Sequence, residues 1–135
     1  MATVACELNA AFDRFHWTGF YRTVRSGHLK VGPYQGGHGC LDIPFGKGVC
    51  GASAAEKRTI VVDDVDAFPG HIACSSSTRS EIVVPVLDGS GRVVAVLDVD
   101  SDDPAAFDDV DRQELEAICS LLGERFGDEA AALID

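Results

Sequence analysis

Three cysteines fall in the glycine- and proline-rich middle of the chain: Cys40 in "GPYQGGHGC", Cys50 in "FGKGVCG" and Cys74 in "FPGHIACSSS". Loops of this composition keep polar groups accessible on a rigid scaffold, which is where reactive groups concentrate. Two chemistries compete for them. Zinc could be held by His38, Cys40, His71 and Cys74, but an H-x-C joined to an H-x-x-C is not the spacing of the common closed sites, and no C-x-x-C occurs. In the alternative, one thiolate attacks an electrophile and a second thiol resolves the product as a disulfide, with no metal and no cofactor. Cys6 and Cys119 sit on apolar helical stripes and are expected to be small core residues.

The acids nearest these loops are Glu81, which opens "EIVVPV", and Asp98 and Asp100, two apart in "VLDVDS" and so on one face of a strand. Carboxylates clustered in a partly apolar pocket cannot all ionise cheaply, so one can keep its proton near neutral pH and act as a donor. The same spacing also suits a solvated acidic strand end, and spacing alone leans that way.

Gly46, Gly48 and Gly51 match G-x-G-x-x-G, but the preceding "GHGCLDIPF" is not the continuous buried strand that a dinucleotide site requires. What survives is a tight turn opening a helix. Its unpaired N–H groups suit a small carboxylate, and a thiol placed there is biased toward thiolate. A plainer role for Gly48 and Gly51 is to let the helix pack closely on a sheet.

The elements that must position these groups are legible in outline. "ACELNAAFDRF" carries Ala5, Leu8, Phe12 and Phe15 as a short helical stripe. "HWTGFYRTV" alternates Trp17, Gly19, Tyr21 and Thr23 with Thr18, Phe20, Arg22 and Val24, the period of a strand, and "GHLKVGP" follows as a second. "GVCGASAAEK" predicts a helix and "TIVVDDV" a buried strand. "SEIVVPVLD" and "RVVAVLDVDS", joined at Gly89-Ser90-Gly91, predict an antiparallel hairpin near the sheet centre, with Pro85 marking an edge or a bulge. "DDVDRQELEAICSLLGERF" places Leu115, Ile118, Cys119, Leu122 and Phe126 at helical spacing, with Asp108 to Asp111 at the favourable end of the dipole. Antiparallel strands flanked by terminal helices predict an α+β architecture.

The chain of 135 residues has the length of one compact domain, residues 1–135, with hydrophobic residues at 46% against 24% charged. Its 22 Asp and Glu against 11 Lys and Arg give a formal net charge of −11, a surface that repels nucleic acid and anionic lipid. No apolar run spans a bilayer and no signal peptide opens the chain, so a cytoplasmic compartment with reduced thiols is expected.

Taken together, "WTGFY", "GPYQG", "GVCG", "PGHIAC", "SEIVVP" and "LDVDS" closely resemble the free methionine-(R)-sulfoxide reductases, a stand-alone GAF-domain family, from Trp17 to about Asp111. The resemblance implies a GAF fold with a central six-stranded antiparallel sheet. It implies Cys74 as the attacking thiol, Cys40 as the resolving one and Cys50 as a third, assisting cysteine. It further implies that Glu81, Asp98 and Asp100 bind the ammonium and sulfoxide groups of the substrate, and that Trp17 and Tyr21 line the pocket around its S-methyl group. The implied partners are free methionine sulfoxide and a thioredoxin-type reductant, in a response to oxidative stress, with a homodimer left open. Ser75 follows Cys74 where members commonly carry an acid, and the segment before Trp17 is short for the family. From a different class, a GAF sensory module would bind a small ligand without turning it over.

Overall fold

The computed structural model describes residues 1–135, in which three helices pack on one sheet. Helix α1 spans Ala2–Ala11, followed by β1 (Trp17–Arg25), β2 (His28–Gln35) and β3 (Asp42–Pro44). Helix α2 (Gly48–Glu56) leads to β4 (Ile60–Val62), the hairpin β5 (Ser80–Leu87) and β6 (Val93–Ser101), and the long α3 (Asp109–Ala131). The strands order as β3-β2-β1-β6-β5-β4, all antiparallel, which is the six-stranded sheet implied by the family resemblance. No helix is long and apolar enough to cross a membrane.

Side chains alternate across a strand, so each strand feeds two cores. Phe20, Ile82, Val84, Leu97 and Val99 point to one face, where Ala5 of α1 and Leu115 and Cys119 of α3 close over them. Trp17, Tyr21, Val83 and Val96 point to the other, where Val49, Cys50 and Ala54 of α2 meet them. Pro85 sits in β5 opposite Val96, beyond the three-residue stretch that β4 pairs, so at that point β5 is locally an edge and no ladder bond is lost.

Two expectations fail on the helices. Cys6 is exposed, because α1 is short and buries only Ala5 fully, leaving Leu8 half-buried and Phe12 40% exposed. Phe126 is 55% exposed, because the face of α3 that meets the sheet is set by Leu115, Cys119, Gly123 and Gly127. Cys119 is buried as expected, and burial pushes its thiol up to about 12. The start of α3 is closed by a reciprocal cap: Asp111 N–H donates to Asp108 Oδ1 (3.0 Å) and Asp108 N–H to Asp111 Oδ2 (2.9 Å). Asp111 also accepts a two-pronged bond from Arg14, tying the chain after α1 to α3.

Glycine at position 123 brings α3 onto the β5 backbone, since a Cβ there would collide with the Leu87 carbonyl. Gly123→Ala is therefore expected to destabilise by about 1–3 kcal/mol from overpacking, outweighing a helix-propensity gain of about 1 kcal/mol. Urea unfolding checks it, and a raised midpoint would refute the close approach.

Candidate active site

One sheet face carries the polar cluster, and strand register assembles it. Glu81 of β5 pairs with Asp100 of β6, which pairs on its other side with Trp17 of β1. The next row on that face runs Val83, Asp98, Gly19 and Tyr34. The three acids, Trp17 and Tyr34 thus share two adjacent rows, and Tyr21 lies in the row beyond, opposite Val96. Gly19 has no side chain for a reason: a Cβ would strike Tyr34 and lie 2.8 Å from the Trp17 ring. Its absence leaves the slot in which Trp17 stacks on Tyr34 (5.1 Å between centroids) and on Tyr21 (5.7 Å), while Trp17 Nε1 donates to Gly37 O at 2.9 Å.

The loops close this face. Cys40, half-buried after β2, and Cys74, exposed before β5, are joined as a disulfide with Cα atoms 5.3 Å apart. In this disulfide form the two sulfurs are not free to act as zinc ligands. Cys50 heads α2 and is buried, its Sγ 4.0 Å from Glu81 Oε2. The cavity between these groups, lined also by His38, Lys47, His71 and Ile72, encloses about 40 Å³. That is room for roughly three ordered waters.

The glycine turn is scaffold. Gly46 and Gly48 adopt φ of +85° and +61°, the left-handed region that other residues avoid, and a Cβ on Gly51 would lie 2.5 Å from Pro44 O. The turn aims the head of α2 at the cavity, where its first internal bond is Gly51 N–H to Lys47 O (3.0 Å) and no side chain caps the N–H groups before it.

Burial dominates the electrostatics. Glu81, at 6% exposure, and Asp98, at 3%, have carboxyls held well above their usual range, first by loss of water and then by the charge of Asp98 on Glu81 and of Asp100 on Asp98. Asp100 is raised by the same burial and by Glu81. The solvated strand end that spacing alone suggested is thereby excluded for these two aspartates. Tyr21 is raised by burial and then by Asp98. Cys50 reverses an expectation. Its place at a helix N-terminus favours thiolate, but burial beside Asp98 and Glu81 pushes its thiol well above the usual range. Cys50 Sγ and oxygens of Glu81 and Asp98 lie within 4.8 Å of one another, so a divalent cation could draw them together only by displacing their protons.

Asp98 Oδ1 and Asp100 Oδ1 are shut from solvent and have no hydrogen-bond partner. Buried oxygens of this kind are satisfied by protons shared within the cluster, by water or by a polar guest in the adjoining cavity. Sequence reasoning missed Tyr34, whose stacking on Trp17 was signalled only by its place in "GPYQG", and it considered His71 solely as a metal ligand.

Carboxyls raised on folding mean that the native protein holds protons the unfolded chain gives up above about pH 4. Their contribution to stability is complete below that pH and is lost as pH rises through the raised values. Asp98→Asn is therefore expected to be more stable than the parent by about 1–2 kcal/mol near neutrality, with the gain shrinking toward pH 4. Thermal unfolding across pH measures this, and a pH-independent difference would contradict it.

The GAF domain family matches residues 1–125. The free methionine-R-sulfoxide reductase of Saccharomyces cerevisiae is 46% identical over 81% of this chain; the chain spans 62% of that relative's length. The protein of the same name from Escherichia coli is 37% identical, over 90% of this chain and 74% of its own. The crystal structure of free methionine-R-sulfoxide reductase from Neisseria meningitidis in complex with its substrate superposes with a TM-score of 0.88 at 49% identity, covering 97% of this chain and 77% of that one. Motifs, sheet order and these similarities agree: the chain belongs to the GAF-domain family, in its free methionine-R-sulfoxide reductase branch.

Proposed function

We propose that this protein reduces free L-methionine-(R)-S-oxide to L-methionine by thiol chemistry. The observation that carries the reading is a disulfide, exposed at Cys74, beside a pocket lined by the buried Glu81 and Asp98, the half-buried Asp100, and Trp17 and Tyr21. A sulfoxide oxygen leaves only when protonated, and carboxyls kept neutral by burial are suited to donate that proton. Cys74 acts as the attacking thiolate. It takes the oxygen as a sulfenic acid and releases methionine, and Cys40 then condenses with it, expelling water and forming the disulfide.

The acids also account for choice of substrate. A free amino acid brings an ammonium group that permits one of Glu81, Asp98 and Asp100 to ionise, and a peptide-bound methionine does not. The Trp17 and Tyr21 rings offer an apolar wall to the S-methyl group, and the uncapped N–H groups at the head of α2 suit the carboxylate. Reduction of the disulfide frees Cys74 for attack and releases the loops bearing Cys40 and Cys74 around the guest. A thioredoxin-type dithiol resets the pair, which calls for a compartment that keeps such dithiols reduced, the cytosol. Cys50, with its thiol held neutral, serves as a hydrogen-bond partner of Glu81 before it serves as a nucleophile.

The first test is methionine release from the (R)- and (S)-epimers with thioredoxin, its reductase and NADPH. Turnover of the (R)-epimer alone is expected; saturable binding without release would favour a sensory module. Cys74→Ser is expected to abolish release, whereas Cys40→Ser gives about one turnover and stalls, because resolution and not attack is lost. Repeated turnover by Cys74→Ser would sink the mechanism. Asp100→Asn is expected to raise KM about tenfold or more through loss of a charged contact, and unchanged kinetics would remove the acid from the binding set.

A further inference from the structure

His71 stands three residues before Cys74 in the loop that carries the thiol. Its ring turns inward: Nε2 lies 3.7 Å from Glu81 Oε1, and the two side chains are 13% and 8% exposed. The loop holds it there, with His71 N–H donating to Phe68 O and Cys74 N–H to Ile72 O, each at 3.1 Å. The titratable groups sharing the cavity are Glu81 on β5, Asp98 and Asp100 on β6, Cys50 on α2, Tyr21 on β1, and His38 and Lys47 at the rim. Burial and then Asp98 hold the Glu81 carboxyl well above its usual range, which favours its protonated form beside the ring. The two groups face each other slightly beyond hydrogen-bond length, as catalytic contacts often do without substrate.

The reaction needs such a carrier. Forming the Cys74 thiolate releases a proton at the mouth of the pocket, while the sulfoxide oxygen consumes one at its floor. We propose that His71 is the proton carrier between them, taking the proton of the Cys74 thiol and returning it to Glu81 after Glu81 has protonated the oxygen. The inference rests on the reductase reading. The step balances: the S–O bond of the sulfoxide breaks, a Cys74 S–O bond forms, the methionine sulfur is reduced by two electrons and the Cys74 sulfur oxidised by two. The thiol proton ends on Glu81, and the Glu81 proton ends on the sulfenic acid. When Cys40 attacks, its thiol proton leaves with that hydroxyl as water, so no external acid is needed. His71 lines the same cavity as Cys74 and Glu81, between which it would pass the proton.

The test compares the parent with His71→Gln and His71→Asn, all reduced beforehand, in single-turnover methionine release from the (R)-sulfoxide between about pH 5 and 9. Both variants keep a polar side chain on an irregular loop outside every helix and strand, and thermal unfolding checks their fold. The rate of release is expected to fall roughly 100-fold, with substrate affinity within about twofold of the parent. The pH dependence should flatten and added imidazole should restore part of the rate. An unchanged rate and pH profile would overturn the proposal, as would a loss confined to substrate affinity. A parent that releases no methionine would overturn the reductase reading itself, whereas a parent and His71→Gln that work equally well would sink only the proton carrier.

Discussion

Keeping three carboxyl groups out of water on one sheet face is the constraint around which this structure is arranged. Glu81, Asp98 and Asp100 lie within two cross-strand rows, and burial holds all three carboxyls well above their usual range. An unsolvated carboxylate is expensive, so the cluster persists by staying largely protonated. Placement on paired strands fixes the groups against one another more rigidly than loops would.

The opposite face supplies the stability that this arrangement spends. There Phe20, Ile82, Val84, Leu97 and Val99 form an apolar layer under α1 and α3, and Gly123 lets α3 approach the β5 backbone closely. One sheet therefore separates two tasks. Because neighbouring side chains of a strand point to opposite faces, Asp98 and Asp100 can face the pocket while Leu97 and Val99 complete the core.

On the pocket side, rigid and adjustable parts meet. Trp17, Tyr21 and Tyr34 form a stacked wall on β1 and β2, positioned by strand pairing and by the missing side chain of Gly19. Cys40, His71 and Cys74 sit on irregular segments outside the helices and strands. Such a division suits thiol chemistry, in which the nucleophile must first meet the substrate and then a second sulfur.

Much of this was legible in the chain. The alternation of "HWTGFYRTV" fixed which face Trp17 and Tyr21 take, and the two-residue spacing of Asp98 and Asp100 put both on one side. The sharp turn and small residues of "FGKGVCGASAAEK" marked a closely packed helix start, and Pro85 marked the point where β5 becomes an edge. Other features depend on contacts between distant segments, which no local pattern encodes. The three-residue strand β3 is too short to show a period, and Cys6 and Phe126 follow helical spacing yet face solvent because the approach of each helix to the sheet decides which stripe is covered. The same holds for the acids. Sequence spacing leaned toward a solvated strand end, and only the registers that bring Glu81, Asp100 and Trp17 into one row, under loops contributed by Cys40 and Cys74, remove the water. Local periodicity determines which side of an element a residue occupies, but the dielectric around it, and hence its protonation and the thiol state of Cys50, is set by what the rest of the chain folds over it.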